Sequence, residues 1–258
     1  MMKRAVYITL TVVVVISAML LCTSCLSIYS YDNGEKYTAG GASISEAVTE
    51  IDIGWVNGNV KIEVYDGEEI VFNEETDGVL ETQKQLHYFL DGTTLYLQYA
   101  KSGIRSTSLD FGKKDLTVMI PKDRVYDLSI ESVSSDINII ANNFDELEIE
   151  TVSGYTSINM NSAEMVELNT VSGNVSLSLQ GMTAAEIYSV SGNIELYLNK
   201  ENSFYLDHET VSGNLNISFE TITYEDRILY SGETPSYEAS GFEIETVSGN
   251  IDISPLSK

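Results

Sequence analysis

Cysteine is nearly missing from this chain. There are two, Cys22 and Cys25, and both stand within the first 25 residues. The remainder can hold no disulfide, so it must stand on packing and hydrogen bonds. Histidine is equally scarce: His87 and His208 lie more than 100 residues apart, which leaves no pair for a metal ligand set or a catalytic couple. Neither a Gly-x-Ser-x-Gly elbow nor a His-Glu-x-x-His motif occurs. Basic residues are few, 14 Lys+Arg against 39 Asp+Glu, for a net charge of −25. Nucleic acid is excluded as a partner, because its affinity comes largely from Lys and Arg on phosphate. The same balance argues against a body lying on an anionic membrane surface, and leaves solubility, cations and basic partners open. Beyond the first 25 residues nothing sustains apolar residues at i, i+3 and i+4, so little helix is expected. Apolar residues are nonetheless plentiful and periodic, which excludes disorder.

What is present begins with a targeting pattern. Lys3 and Arg4 precede the mostly apolar stretch 5–21, broken only by Thr9, Thr11 and Ser17, and Cys-Thr-Ser-Cys follows at 22–25. A basic start, an apolar centre and small residues before a cut form a secretory signal. The stretch resembles a bacterial lipoprotein signal over 1–24, cut before a Cys25 that then carries lipid. Cys22 replaces the usual Leu three before that Cys. An uncleaved anchor helix is the alternative, since the apolar run sits at the lower edge of what spans a bilayer. Either way the body is exported and tethered to the cell envelope membrane. Residues 25–45, Gly-, Ser- and Tyr-rich without periodicity, read as a flexible tether. Residues 46–258 read as one domain.

Within that domain a pentapeptide recurs. Thr-Val-Ser-Gly-Asn stands at 170–174, 210–214 and 246–250, Ser-Val-Ser-Gly-Asn at 189–193 and Thr-Val-Ser-Gly-Tyr at 151–155. Its glycines are Gly154, Gly173, Gly192, Gly213 and Gly249, so successive gaps are 19, 19, 21 and 36. The last gap reads as two periods with one degenerate copy. Ser135 lies one period before Gly154, and Trp-Val-Asn-Gly-Asn repeats the pattern around Gly58. A period near 20 residues marks a solenoid in which each repeat is one rung.

The apolar residues specify strands. Two, four and six after the glycine stand Val175, Leu177 and Leu179, then Ile194, Leu196 and Leu198. Seven and five before it stand Leu147 and Ile149, then Val166 and Leu168. Alternation with period two is a strand with one buried face. The two runs are out of phase, so the chain bends between them, and Gly58, Gly154, Gly173, Gly192, Gly213 and Gly249 are the corners. Glycine suits a corner because it tolerates positive φ. Thr, Ser and Asn at equivalent slots are expected to form polar ladders along the stack. The expected fold is an all-β parallel β-solenoid of about 19-residue rungs, most regular over 125–254, with roughly 11 rungs and a length on the order of 50 Å. A β-sandwich also has many short strands, but fits constant corners poorly. Two stretches fall off the pattern: 81–112, with a hairpin around Asp91-Gly92, and 221–240, a degenerate rung or a loop. Pro255 is placed to stop further pairing.

Residues 51–75, 114–139 and the Val-Ser-Gly rungs to Ile253 resemble the bacterial putative-adhesin family, a domain of unknown function built as a β-solenoid. That resemblance implies the fold and an adhesin-like role.

The strongest candidate for chemistry is an acidic ladder. Six before the glycine slot stand Asp52, Glu148, Glu167, Glu186, Asp207 and Glu243, with Ser129 breaking the set. These positions alternate with the buried ones and point outward. One reading is a solvated face that resists aggregation. The other is a row of weak Ca²⁺ or Mg²⁺ sites, or a patch for a basic partner, since carboxylate oxygens suit hard cations. No dedicated metal site and no cofactor is expected. His208 occupies a buried slot and reads as a hydrogen-bonded core residue, and Trp55 as a packing aromatic. Outward residues such as Tyr197 could contact protein or glycan. The expected function is non-catalytic: an exported lipoprotein displaying a repetitive acidic surface, adhesin-like or scaffolding. A regulatory envelope-stress component acting on a membrane protein is the alternative, and a polysaccharide-active enzyme a third.

Overall fold

The computed structural model describes residues 28–105, 114–181, 183–224, 227–232 and 240–256. The signal stretch and Cys25 lie outside them. The fold is all-β, with two short 3₁₀ turns, Gly34–Lys36 and Thr82–Lys84. Among the described residues no helix is long and apolar enough to cross a membrane.

Each rung is built as the alternation requires. In one, Ser162–Thr170 leads into the corner and Val175–Leu179 leads out. Val166, Leu168, Val175, Leu177 and Leu179 all face the core at 0 or 1% exposure. The phase slips between Thr170 and Gly173, so the apolar sides of both strands look into one interior. Because repeats are equal in length, rungs stack without offset. Leu147 pairs with Val166 and Val166 with Ala185, while Ile158 pairs with Leu177 and Leu177 with Leu196, all parallel.

The corner glycines serve two different needs. Gly58 and Gly154 have φ of 94° and 119°, a region other residues avoid. Gly173, Gly192, Gly249 and Gly213 do not; there an added Cβ would overlap the carbonyl oxygen of the glycine one rung away. Tight stacking, rather than positive φ, is what most corners demand. Beside the glycines runs a ladder of side-chain amides. Asn193 N–H donates to Asn174 Oδ1 at 2.9 Å, Asn250 N–H to Asn193 Oδ1 at 3.0 Å, and Asn214 N–H to Asn250 Oδ1 at 3.1 Å. Each amide thus satisfies a backbone donor of the next rung that would otherwise lack a partner. Thr170 behaves otherwise: it is buried, and its Oγ1 accepts from Gly173 N–H within its own rung at 2.9 Å.

Among the described residues the stack holds eight rungs, not eleven, and is about 35 Å long at the usual strand spacing. Its spatial order departs from the sequence at both ends. Glu50–Tyr65, which carries Gly58, lies second: Thr94–Gln98 and Lys114–Pro121 flank it on one side and Asp127–Ile140 on the other. At the far end Ser240–Thr246 lies between Ala184–Ser189 and Phe204–Thr210, and Ile251–Pro255 between Ile194–Leu198 and Leu215–Ile217. Along the column the last corners therefore run Gly192, Gly249, Gly213. Among the described residues the 36-residue gap holds no degenerate rung. Its residues form a hairpin, Ile222–Tyr224 with Arg227–Tyr230, whose second strand pairs antiparallel with Phe204–Leu206. Insertion satisfies both edges of the final strand, which would otherwise stand unpaired at the end of the stack. Pro255 sits inside the stack opposite Leu198, where the pairing of Leu215–Ile217 has already stopped.

Residues 28–45, expected as a tether, form part of the first cap. Thr38–Ala39 pairs with the hairpin strand His87–Asp91, and Ala42–Ile44 with Ile70–Thr76, all antiparallel. Tyr29, Tyr31 and Tyr37 pack in series against one another and then Phe89. The tyrosines that made the segment look like linker are what anchor it. Within 81–112 the Asp91-Gly92 hairpin forms as expected, and 106–112 lies outside the described residues.

Candidate functional site

Register brings the acidic ladder together and reorders it. Across the outer face of the sheet formed by the strands that lead into the corners, the first-half sheet, the column runs Tyr96, Asp52, Ser129, Glu148, Glu167, Glu186, Glu243, Asp207. Ser129 separates Asp52 from the rest, and the five beyond it are carboxylates on consecutive strands. At a strand spacing of about 4.8 Å each adjacent pair repels by roughly 0.9 kcal/mol at the dielectric of water.

A second column lies two residues on, and sequence reasoning missed it. Glu131 pairs with Glu150, and Glu245 with Glu209. Its signal was the acid-x-acid spacing at Glu148–Glu150, Glu243–Glu245 and Asp207–Glu209, because residues two apart share one face of a strand. Between those pairs Asn169 and Tyr188 supply neutral donors. Asn169 Nδ2 donates to Glu167 Oε1 at 3.0 Å, and Tyr188 hydroxyl to Glu186 Oε2 at 3.4 Å. At the far edge Arg227 Nε stands 3.9 Å from Asp207.

The crowding perturbs titration. Burial, then Glu131, Glu50 and Glu148, push the Asp52 carboxyl up to about 6. Burial, then Glu167, Glu131 and Glu146, raise Glu148. Glu150 is raised by burial and by Glu131, Glu148 and Glu167. Burial and the carboxylates of Glu243, Glu186 and Glu245 raise the Tyr188 phenol. Every such shift opposes charge: burial contributes most, and the like-signed neighbours add to it.

That wall is flat. Side chains on one face of a sheet stand side by side and do not converge, and among the described residues no three His, Cys, Asp or Glu side chains are arranged to hold a metal ion. His208 takes its expected slot opposite Ile244, but in the last rung, so it is half-buried and not a core residue. Trp55 is buried as expected; its Nε1 donates to Lys114 O at 3.1 Å and its ring meets Tyr99 edge-on. Tyr197, on the outer face of the other sheet, donates its hydroxyl to Glu195 Oε2 at 3.0 Å.

Sequence reasoning also missed a buried cation at the capped end. Lys114 takes the glycine slot of the first rung, opposite Gly58, and is fully buried. Its Nζ pairs with Glu74 Oε2 at 2.9 Å, donates to the carbonyls of Tyr99 and Lys84, and lies 4.5 Å from the centroid of the Tyr99 ring. Burial lowers its pKa while Glu74 opposes that shift. This ion pair closes the end of the corner column and ties the first cap to the stack.

No curated protein matches the chain. A solved structure of a putative cell adhesion protein from Clostridium sporogenes is 13% identical, with a TM-score of 0.48, covering 84% of this chain and 100% of that one. A putative adhesin from Bacteroides fragilis is 12% identical, with a TM-score of 0.34 over 84% of this chain and 96% of that one. A putative lipid binding protein from Parabacteroides distasonis is 12% identical, with a TM-score of 0.33 over 85% and 97%. The family model described as Toastrack DUF4097 matches residues 48–223 and 141–254. Those matches span the whole solenoid, and the chain belongs to the Toastrack DUF4097 family.

Proposed function

We propose that this chain is a non-catalytic exported lipoprotein, held at the cell envelope through Cys25, which presents its acidic sheet face to a basic partner in an adhesin-like or scaffolding role. One observation carries the reading: Glu148, Glu167, Glu186, Glu243 and Asp207 stand on five consecutive strands of one flat outer face. Self-repulsion on that scale works against the folded state, and a complementary positive surface would relieve it. The flat wall offers area without a cleft, which suits a macromolecular partner better than a small substrate.

The test is capture from cell envelopes by the full chain and by the variant Glu148→Gln/Glu167→Gln/Glu186→Gln/Glu243→Gln. Partners held by the wild type and lost by the variant support the reading. Equal capture by both removes the acidic wall from it. Capture of one membrane protein alone turns the role from adhesion to regulation, and turnover of an envelope polysaccharide by the purified chain overturns the non-catalytic part.

A further inference from the structure

The two ends of the solenoid are finished differently. At the first end both sheets are capped by two antiparallel strands. Ile70–Thr76 and then Ala42–Ile44 cover Lys114–Pro121, while His87–Asp91 and then Thr38–Ala39 cover Thr94–Gln98. At the other end only the first-half sheet is capped, and only in part. The hairpin strand Arg227–Tyr230 pairs with Phe204–Leu206 and stops there. Among the described residues no strand lies on the outer side of Leu215–Ile217, whose one partner is Ile251–Pro255.

The consequence is visible in burial. Ile251 and Ile253 in the penultimate rung are fully buried. Leu215 and Ile217, directly beside them, are only half-buried, as is Phe219, while Val211 is 73% exposed. The backbone is open as well. Ile251 N–H donates to Asn214 O and Ser218 N–H to Ile253 O. In a parallel ladder alternate residues face alternate sides, so Leu215 and Ile217 turn their own N–H and C=O groups to the free edge.

We propose that this notch accepts an extended strand from a partner polypeptide by β-strand addition. Free N–H and C=O groups in strand spacing are satisfied by another backbone. The half-open slots call for apolar side chains at every second position of the guest. Its remaining side chains face outward beside Asn216, with Asp252 and Glu195 next in the same row; they are therefore basic or neutral. A second whole copy does not fit. The Ile222–Tyr224 and Arg227–Tyr230 hairpin carries the first-half sheet two strands past the last rung, into the space a second solenoid's own rung would need.

A dye-labelled synthetic peptide alternating Val with Lys and Thr is the probe, titrated against the full chain. Two forms of it are N-methylated at alternate residues in opposite phase. Strand addition predicts that one phase loses at least about tenfold in affinity and the other does not, that Ile217→Lys weakens binding about as much, and that the Leu215 and Ile217 amides exchange slowly only when peptide is bound. Retained binding by the Glu148→Gln/Glu167→Gln/Glu186→Gln/Glu243→Gln variant separates this edge from the acidic wall, and loss there overturns the proposal. Equal affinity of both methylated forms overturns it too. So does protection of Leu215 and Ile217 in the free chain, which would mean the notch is already filled, by the chain itself or by a second copy.

Discussion

Glu243 stands between Glu186 and Asp207, although Asp207 precedes it in the chain. That single insertion sets the order of the acidic wall and puts the Gly213 rung at the open end. It is checked by cross-linking. In a Cys22→Ser/Cys25→Ser background, Asn193→Cys/Asn250→Cys is expected to form a disulfide, because neighbours in register have Cα atoms within bridging distance. Asn193→Cys/Asn214→Cys, which simple sequential stacking would join, is expected to remain reduced.

Gly192→Ala is expected to destabilise the fold by about 1–3 kcal/mol, the usual range for overpacking. Its methyl would overlap the Gly173 carbonyl, in a backbone that needs no positive φ. Gly78→Ala is the control: nothing lies near its added Cβ and its φ is ordinary, so denaturant midpoints should barely move. Equal effects at both sites would refute tight stacking as the role of the corner.

The rung was legible because a strand buries every second residue and a bend shifts that phase once per repeat; Leu168 and Leu177 announce their burial through spacing alone. The neighbour of each rung was not legible. Val175, Ile194, Leu215 and Ile251 are interchangeable in chemistry, so nothing in the local pattern says that Ile194 meets Ile251 and not Leu215. Caps were missed for a related reason. Tyr29, Tyr31 and Tyr37 pack as individuals without a period, and Lys114 reads as surface until Glu74, forty residues upstream, is seen beside it. His208 shows the limit of slot reasoning: its slot was right, but the last slot of a stack has core on one side only.

Lys114→Met is expected to cost about 3–5 kcal/mol, because it leaves the largely buried Glu74 carboxylate without its cation. Adding Glu74→Gln should restore part of that loss, since the amide oxygen can still accept from Leu86 N–H, which now donates to Glu74 Oε2 at 2.9 Å. Chemical denaturation of the single and double variants measures the coupling. If the two losses simply add, the pair does not hold the cap.

Stability should respond to acid in a direction opposite to that of most salt-bridged proteins. The Asp52 carboxyl is held at about 6 in the folded chain, above its ordinary range, by burial and by Glu131, Glu50 and Glu148. Folding therefore favours its protonated form. The contribution is fully present below about pH 4 and is lost as pH rises through about 6. Asp52→Asn is thus expected to melt a few degrees above wild type at pH 7.5 and level with it near pH 4. A constant difference across that range would show that Asp52 does not titrate in the folded window.

Salt distinguishes a repelling wall from a row of cation sites. The Debye length falls from about 10 Å at 0.1 M salt to about 3 Å at 1 M, shorter than the spacing of the stacked carboxylates. Sodium chloride should therefore raise the melting temperature steadily over that range, and the Glu148→Gln/Glu167→Gln/Glu186→Gln/Glu243→Gln variant should have lost much of the response. Calcium or magnesium at matched ionic strength should do little more, because parallel side chains on a flat face offer no convergent set of oxygens, and none is found among the described residues. A rise with millimolar calcium well beyond the sodium control would show that neighbouring Glu side chains swing together around the ion, and the wall would then be a cation-binding surface.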